Sequence, residues 1–120
     1  MARVAALVPD LLFGSKVQAA LQAAGHDVSL LGAEPPDWSA LGPLDVLVVD
    51  LTADRVDGTQ LPGRVPGART LGFFAHVQPE VRDRALAAGF DQVVPRSRMA
   101  REGAGLVSRL AEGGSPKEAL

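Results

Sequence analysis

The feature that most constrains this chain is Val46-Leu47-Val48-Val49, four consecutive branched apolar residues held between Asp45 and Asp50. An apolar run this short, without alternation and closed by charge, is the signature of a strand buried on both faces, and so of a parallel sheet lying between helices. Four further segments fit the same sheet: Arg3–Val8, closed by Pro9-Asp10, then Asp27–Leu31, Thr70–Ala75 and Asp91–Val94. Between the first two, Phe13, Val17, Ala20, Leu21 and Ala24 recur at helical spacing, and Gly25 stands where a helix ends. That is a β-α-β unit. Pro79 opens another helix, with Val81, Ala85 and Ala88 on one face and Gly89 as its stop. Met99, Leu106, Val107 and Leu110 share a face of a last helix, expected to be weakened by Gly103 and Gly105. Prolines and glycines interrupt 32–44 and 51–69, leaving room for a helical turn at Trp38–Leu41 and a short, irregular helix later. The expectation is one domain over 1–112 with a frayed polar tail over 113–120.

Composition excludes several function classes. The 120 residues include no cysteine, which removes disulfides, thiolate metal sites and cysteine nucleophiles. The net charge of −2 argues against a phosphate-backbone binder, so no direct nucleic-acid partner is expected. Ten Arg against two Lys, with nineteen Ala and no Ile or Tyr, reads as coding bias rather than a basic surface. No apolar run is long enough to span a bilayer, and the first ten residues lack a signal-peptide pattern. The expected setting is cytoplasmic, with no membrane partner.

Two segments carry a resemblance. Asp50 is followed seven residues later by Asp57-Gly58 after the apolar Val56, and Ala87-Ala88-Gly89-Phe90-Asp91-Gln92-Val93-Val94-Pro95-Arg96 follows the fourth strand and its helix. Over roughly residues 3 to 111 the chain resembles the receiver domains of response regulators. The resemblance implies a flavodoxin-like, three-layer α/β domain with a five-stranded parallel sheet in the order 2-1-3-4-5, its second and third helices short or degraded. It also implies a part in two-component signal transduction, with Asp50 as candidate phosphoacceptor and Arg96 in place of the family's lysine.

The departures fall on the chemistry. Receivers hold Mg²⁺ with two acidic residues at the end of the first strand, where this chain has Val8 and Pro9, with Asp10 just beyond. They place a hydroxyl at the end of the fourth strand, where this chain has Phe74 and Ala75, and a cis proline after the lysine, where it has Ser97. Phosphoryl transfer to a carboxylate needs a divalent ion and a cation beside the nucleophile. Asp50, Asp10 and the carbonyl of Thr52 make a poor magnesium site. The expectation is therefore a degenerate receiver, a stand-alone and non-catalytic module that binds a protein and needs no cofactor, with Asp50 and Arg96 simply paired across the sheet edge. By resemblance, the stretch Val81–Leu110 supplies the partner face and serves self-association.

Two alternatives share the same rim. One is a phosphoaccepting single-domain response regulator using Asp50 and Mg²⁺. The other is a small-ligand-binding protein with a pocket among Asp10, Thr52, Phe74, His76 and Arg96, since ligands of open α/β sheets bind at the carboxyl ends of strands. Gly14-Ser15-Lys16 fails as a phosphate loop because Pro9 stands where its first glycine is needed. His76 has no obvious Ser or Cys partner in the pattern, so a hydrolytic triad is not supported. Arg96, Arg98 and Arg101 form a basic cluster that reads either as a solvated helix start or as a contact for an acidic partner. Of Phe73 and Phe74 only one can face a given side of a strand. Trp38 is expected to cover the core.

Overall fold

The computed structural model describes residues 2–52, 60–75 and 79–113. Its five strands are β1 (Arg3–Leu7), β2 (Asp27–Leu31), β3 (Val46–Asp50), β4 (Arg69–Phe74) and β5 (Gln92–Pro95). They form one parallel sheet in the order β2-β1-β3-β4-β5. The expected order and direction are those observed. Among the described residues α1 (Leu11–Ala23), α2 (Leu61–Arg64) and α3 (Pro79–Ala87) lie between strands, with a 3-10 turn at Trp38–Leu41, and α4 (Arg96–Ala111) follows β5.

Alternation along the strands divides the core in two. One cluster gathers Val4, Ala6, Val46, Val48, Leu71 and Phe73 beneath α1 and α4. The other gathers Ala5, Leu7, Leu47 and Val49 beneath the 3-10 turn, α2 and α3. β3 is buried along its whole length, which explains why it reads as unbroken apolar sequence. Trp38 is half-buried against the second cluster, as expected of a cover, and its Nε1–H donates to Glu34 at 3.1 Å.

Gly103 does not interrupt α4, which runs unbroken for 16 residues. Gly103 is buried, and a Cβ there would lie 2.9 Å from Met99 Cε, so Met99 fills the space a side chain would need. The last helix starts at Arg96, directly after β5, so the Arg96, Arg98 and Arg101 cluster lies in its first two turns. Gly25, at φ +92°, turns the chain after α1 in the left-handed region that favours glycine.

Candidate functional site

The carboxyl ends of the strands form the rim where this fold places ligands. β1 ends at Leu7, and the buried Val8 still donates its N–H to the Leu31 carbonyl at 2.9 Å. Pro9 has no N–H to continue the ladder, so the chain turns away and Asp10 becomes the N-cap of α1. Asp10 Oδ1 accepts from the N–H groups of Leu12 at 3.0 Å and Phe13 at 3.2 Å. Its Oδ2 accepts from Arg96 Nη2 at 2.8 Å. Arg96, followed by the Phe13 N–H, holds the Asp10 carboxyl below its ordinary value of 3.8.

Arg96 is the first residue of α4, a position where a cation meets the positive end of the helix dipole. Two neighbours offset this. Asp10 supplies a carboxylate, and the guanidinium carbon lies 4.1 Å from the centroid of the Phe13 ring. Phe13 in turn packs on Phe73 with centroids 5.2 Å apart, linking the rim to the first core cluster.

Asp50, the last residue of β3, is 4% exposed. Its Oδ1 accepts from the N–H of Thr52 at 3.0 Å and from the Thr52 hydroxyl at 2.5 Å. The expected Asp50–Arg96 pair is therefore not the one that forms. Arg96 is drawn to Asp10 by the packing of α1 on α4, while Asp50 takes donors two residues along its own chain. Phe74 is 5% exposed and pairs in register with Pro95. His76 and the Val56-Asp57-Gly58 segment lie outside the described residues.

The candidate residues thus fall into two pairs, Asp10 with Arg96 and Asp50 with Thr52. Both Asp10 oxygens and one Asp50 oxygen are committed to protein donors, and no three His, Asp or Glu side chains converge on a metal position among the described residues. That donor set does not fit the Mg²⁺ of a phosphorylating receiver. Sequence reasoning placed Phe13 only in the core and missed it as the platform for Arg96. Its position three residues after a capping Asp, on the first turn of the helix, was the available signal.

No protein-family model matches this chain, and no curated protein matches it. Solved structures do. The signal receiver domain of the putative response regulator NarL from Mycobacterium tuberculosis is 22% identical, with a TM-score of 0.74 over 93% of this chain and 97% of that one. The BeF3-activated DrrB receiver domain is 17% identical, with a TM-score of 0.79 over 93% and 98%. An atypical orphan response regulator, described as revealing a phosphorylation-independent regulatory mechanism, is 14% identical, with a TM-score of 0.72 over 94% and 98%. The chain has the receiver fold over nearly its full length.

Proposed function

We propose that this chain is a regulatory module of the receiver fold that acts by binding another protein, without Mg²⁺-dependent phosphorylation and without catalysis of its own. The observation that carries this reading is the Asp10–Arg96 pair. The acid nearest to the family's metal position caps a helix and neutralises an arginine, and that arginine stands where the family's lysine would serve a phosphoryl group. The likeness to an atypical orphan regulator supports the same reading. A cytoplasmic setting belongs to it; no helix among the described residues is long and apolar enough to cross a membrane. The stretch Val81–Leu110 offers one surface for self-association, with Leu86, 43% exposed, as its most exposed large apolar side chain.

A second reading, phosphorylation at Asp50, is favoured by that carboxylate's burial at the end of β3. The two readings separate in a thermal titration with Mg²⁺ and beryllium fluoride, a mimic of aspartyl phosphate. A ligand at about a hundred times its Kd stabilises by about 2.7 kcal/mol, roughly 10 °C for a chain of this size. We expect no Mg²⁺-dependent shift in wild type or in D50A. A shift present in wild type and absent from D50A would establish the phosphoacceptor instead.

A further inference from the structure

At the amino ends of the strands, opposite the rim, one half-buried imidazole joins three elements. Gly25 turns the chain after α1, and His26 follows it at the entry to β2. The Ala2 N–H donates to His26 Nδ1 at 3.1 Å. His26 Nε2 lies 2.9 Å from the Ser108 hydroxyl oxygen, in the last turn of α4. Contacts 24 residues back along the chain and 82 residues forward thus meet on one ring.

A histidine within reach of a serine hydroxyl is the pattern of a base and its nucleophile. The Ala2 contact decides against that role. A backbone N–H can only donate, so Nδ1 must present its lone pair and the proton of the neutral ring sits on Nε2. Nε2–H then donates to Ser108 and cannot take the hydroxyl proton. The geometry builds a bridge that holds only while the ring is neutral. A proton added at Nδ1 would set two N–H groups against each other. Ala2 is 4% exposed, and an N–H that loses its acceptor in so buried a residue is costly. The Ala2 carbonyl accepts from the Asp27 N–H at 2.9 Å, so Ala2 cannot turn away without disturbing the start of the β1–β2 pairing.

No neighbouring carboxylate offsets the added charge. The charged groups of the elements that meet there are Arg3 on β1, Asp27 on β2, Asp45 before β3, Lys16 on α1, and Arg109 and Glu112 at the end of α4. Arg3 and Asp27 pair with each other at 3.0 Å, and Asp45 accepts from the Arg3 N–H at 2.8 Å. Arg109 donates to the Gly105 carbonyl, and Lys16 lies about two turns before the end of α1. Among the described residues no ion pair to His26 forms.

The geometry assigns His26 as a proton-operated latch: neutral, it ties the residue before β1 to the last turn of α4, and protonated, it lets Ala2 go. Histidine is the side chain whose charge ordinarily changes between about pH 5 and 8, the range in which such a device responds. Release loosens both ends of the domain and leaves β3, buried along its whole length, in place. The latch stands apart from Asp10, Asp50 and Arg96 at the other end of the sheet, so it holds whether or not Asp50 accepts a phosphoryl group.

The test uses the full chain, labelled with nitrogen-15 and followed by NMR from about pH 7.5 to about pH 5. Ring nitrogen shifts report the tautomer. Amide protection factors, which correct for the intrinsic pH dependence of exchange, report the latch. The expected result is a neutral ring protonated on Nε2, with protection of Ala2 and Asp27 falling about tenfold as the ring gains its second proton. Val48 in β3 keeps its protection. H26N retains an acceptor near the Nδ1 position and does not titrate, so it is expected to abolish the pH dependence. That separates the ring from His76 and from the Met1 amino group. S108A is expected to keep the response at Ala2 while protection in the last turn of α4 stops following pH. A neutral ring protonated on Nδ1 overturns the latch, as does Ala2 protection that stays constant while the ring titrates. A wild-type pH response surviving in H26N overturns it too, and a response of α4 surviving in S108A overturns the bridge. If H26N does not fold, the tautomer and the Ala2 response of the wild-type chain decide the matter alone.

Discussion

The two sides of the sheet are built differently. Helices of 13 and 16 residues cover one side, and their apolar faces meet Phe73, Leu71 and Val48 over a continuous core. Among the described residues, the other side is covered by a four-residue 3-10 turn, the four-residue α2 and the nine-residue α3. Helices this short have almost no stability of their own, because the cost of nucleation is spread over too few hydrogen bonds. Side-chain anchors hold them instead. Leu61 is fully buried from α2, Trp38 lies against the sheet, and Glu34 accepts hydrogen bonds from both Trp38 and Arg64, joining the 3-10 segment to α2. A parallel sheet needs apolar cover on both faces, and on one of them plugs and clasps do the work of helices.

The largest predicted effect tests the thick side. Phe73 is fully buried and touches the Phe13 ring, so F73A is expected to cost about 4 kcal/mol in urea unfolding, lost cooperatively from the whole molecule. L61A removes an equally buried side chain from the thin side, at about 3 kcal/mol. There we expect hydrogen exchange in α2 and the 3-10 turn to accelerate well beyond that in α1 and α4. Equal acceleration on both sides would dissolve the distinction.

A smaller effect sharpens it. A Cβ on Gly72 would lie 2.6 Å from Leu51 Cδ1, on the thin side. G72A is expected to cost about 2 kcal/mol through overpacking, and L51A on the same background should recover part of that loss by opening space. Additive losses in the double variant would show that the contact is not the cause.

Most of the architecture was legible because parallel strands write their burial directly into short apolar runs, and Pro9, Gly25 and Gly89 mark where those runs turn. Asp50 at the end of such a run was legible for the same reason. The rim pairing was not. Asp10 and Arg96 are 86 residues apart and meet only because α1 packs on α4, which no local pattern encodes. The hydrogen bonds from Thr52 to Asp50 are local, and the habit of Asp side chains to accept from the backbone two residues on would have suggested them. The packing role of Gly103 was not legible either, because propensity scales count the helix alone and not Met99 beside it.

The smallest effect concerns that rim pair. Because the folded carboxyl of Asp10 titrates below 3.8, its contribution to stability is fully present above that value and is lost as pH falls through the lower one. D10N should therefore lower stability slightly above about pH 4 and leave it nearly unchanged in stronger acid, which flattens the acid limb of the curve. The change is modest because Arg96 and Asp10 are 34% and 42% exposed, and salt should shrink it further. An unchanged acid limb would mean the pair adds nothing to the linkage between the two long helices.

The placement of the single tryptophan has an optical consequence. With no tyrosine in the chain, Trp38 dominates the near-ultraviolet emission, and it sits on the plugged side of the sheet rather than under the long helices. Its fluorescence is a one-sided gauge, whereas far-ultraviolet dichroism is weighted towards α1 and α4, which hold most of the helical residues. Comparing the two spectra turns the asymmetry of the fold into a signal that needs no label.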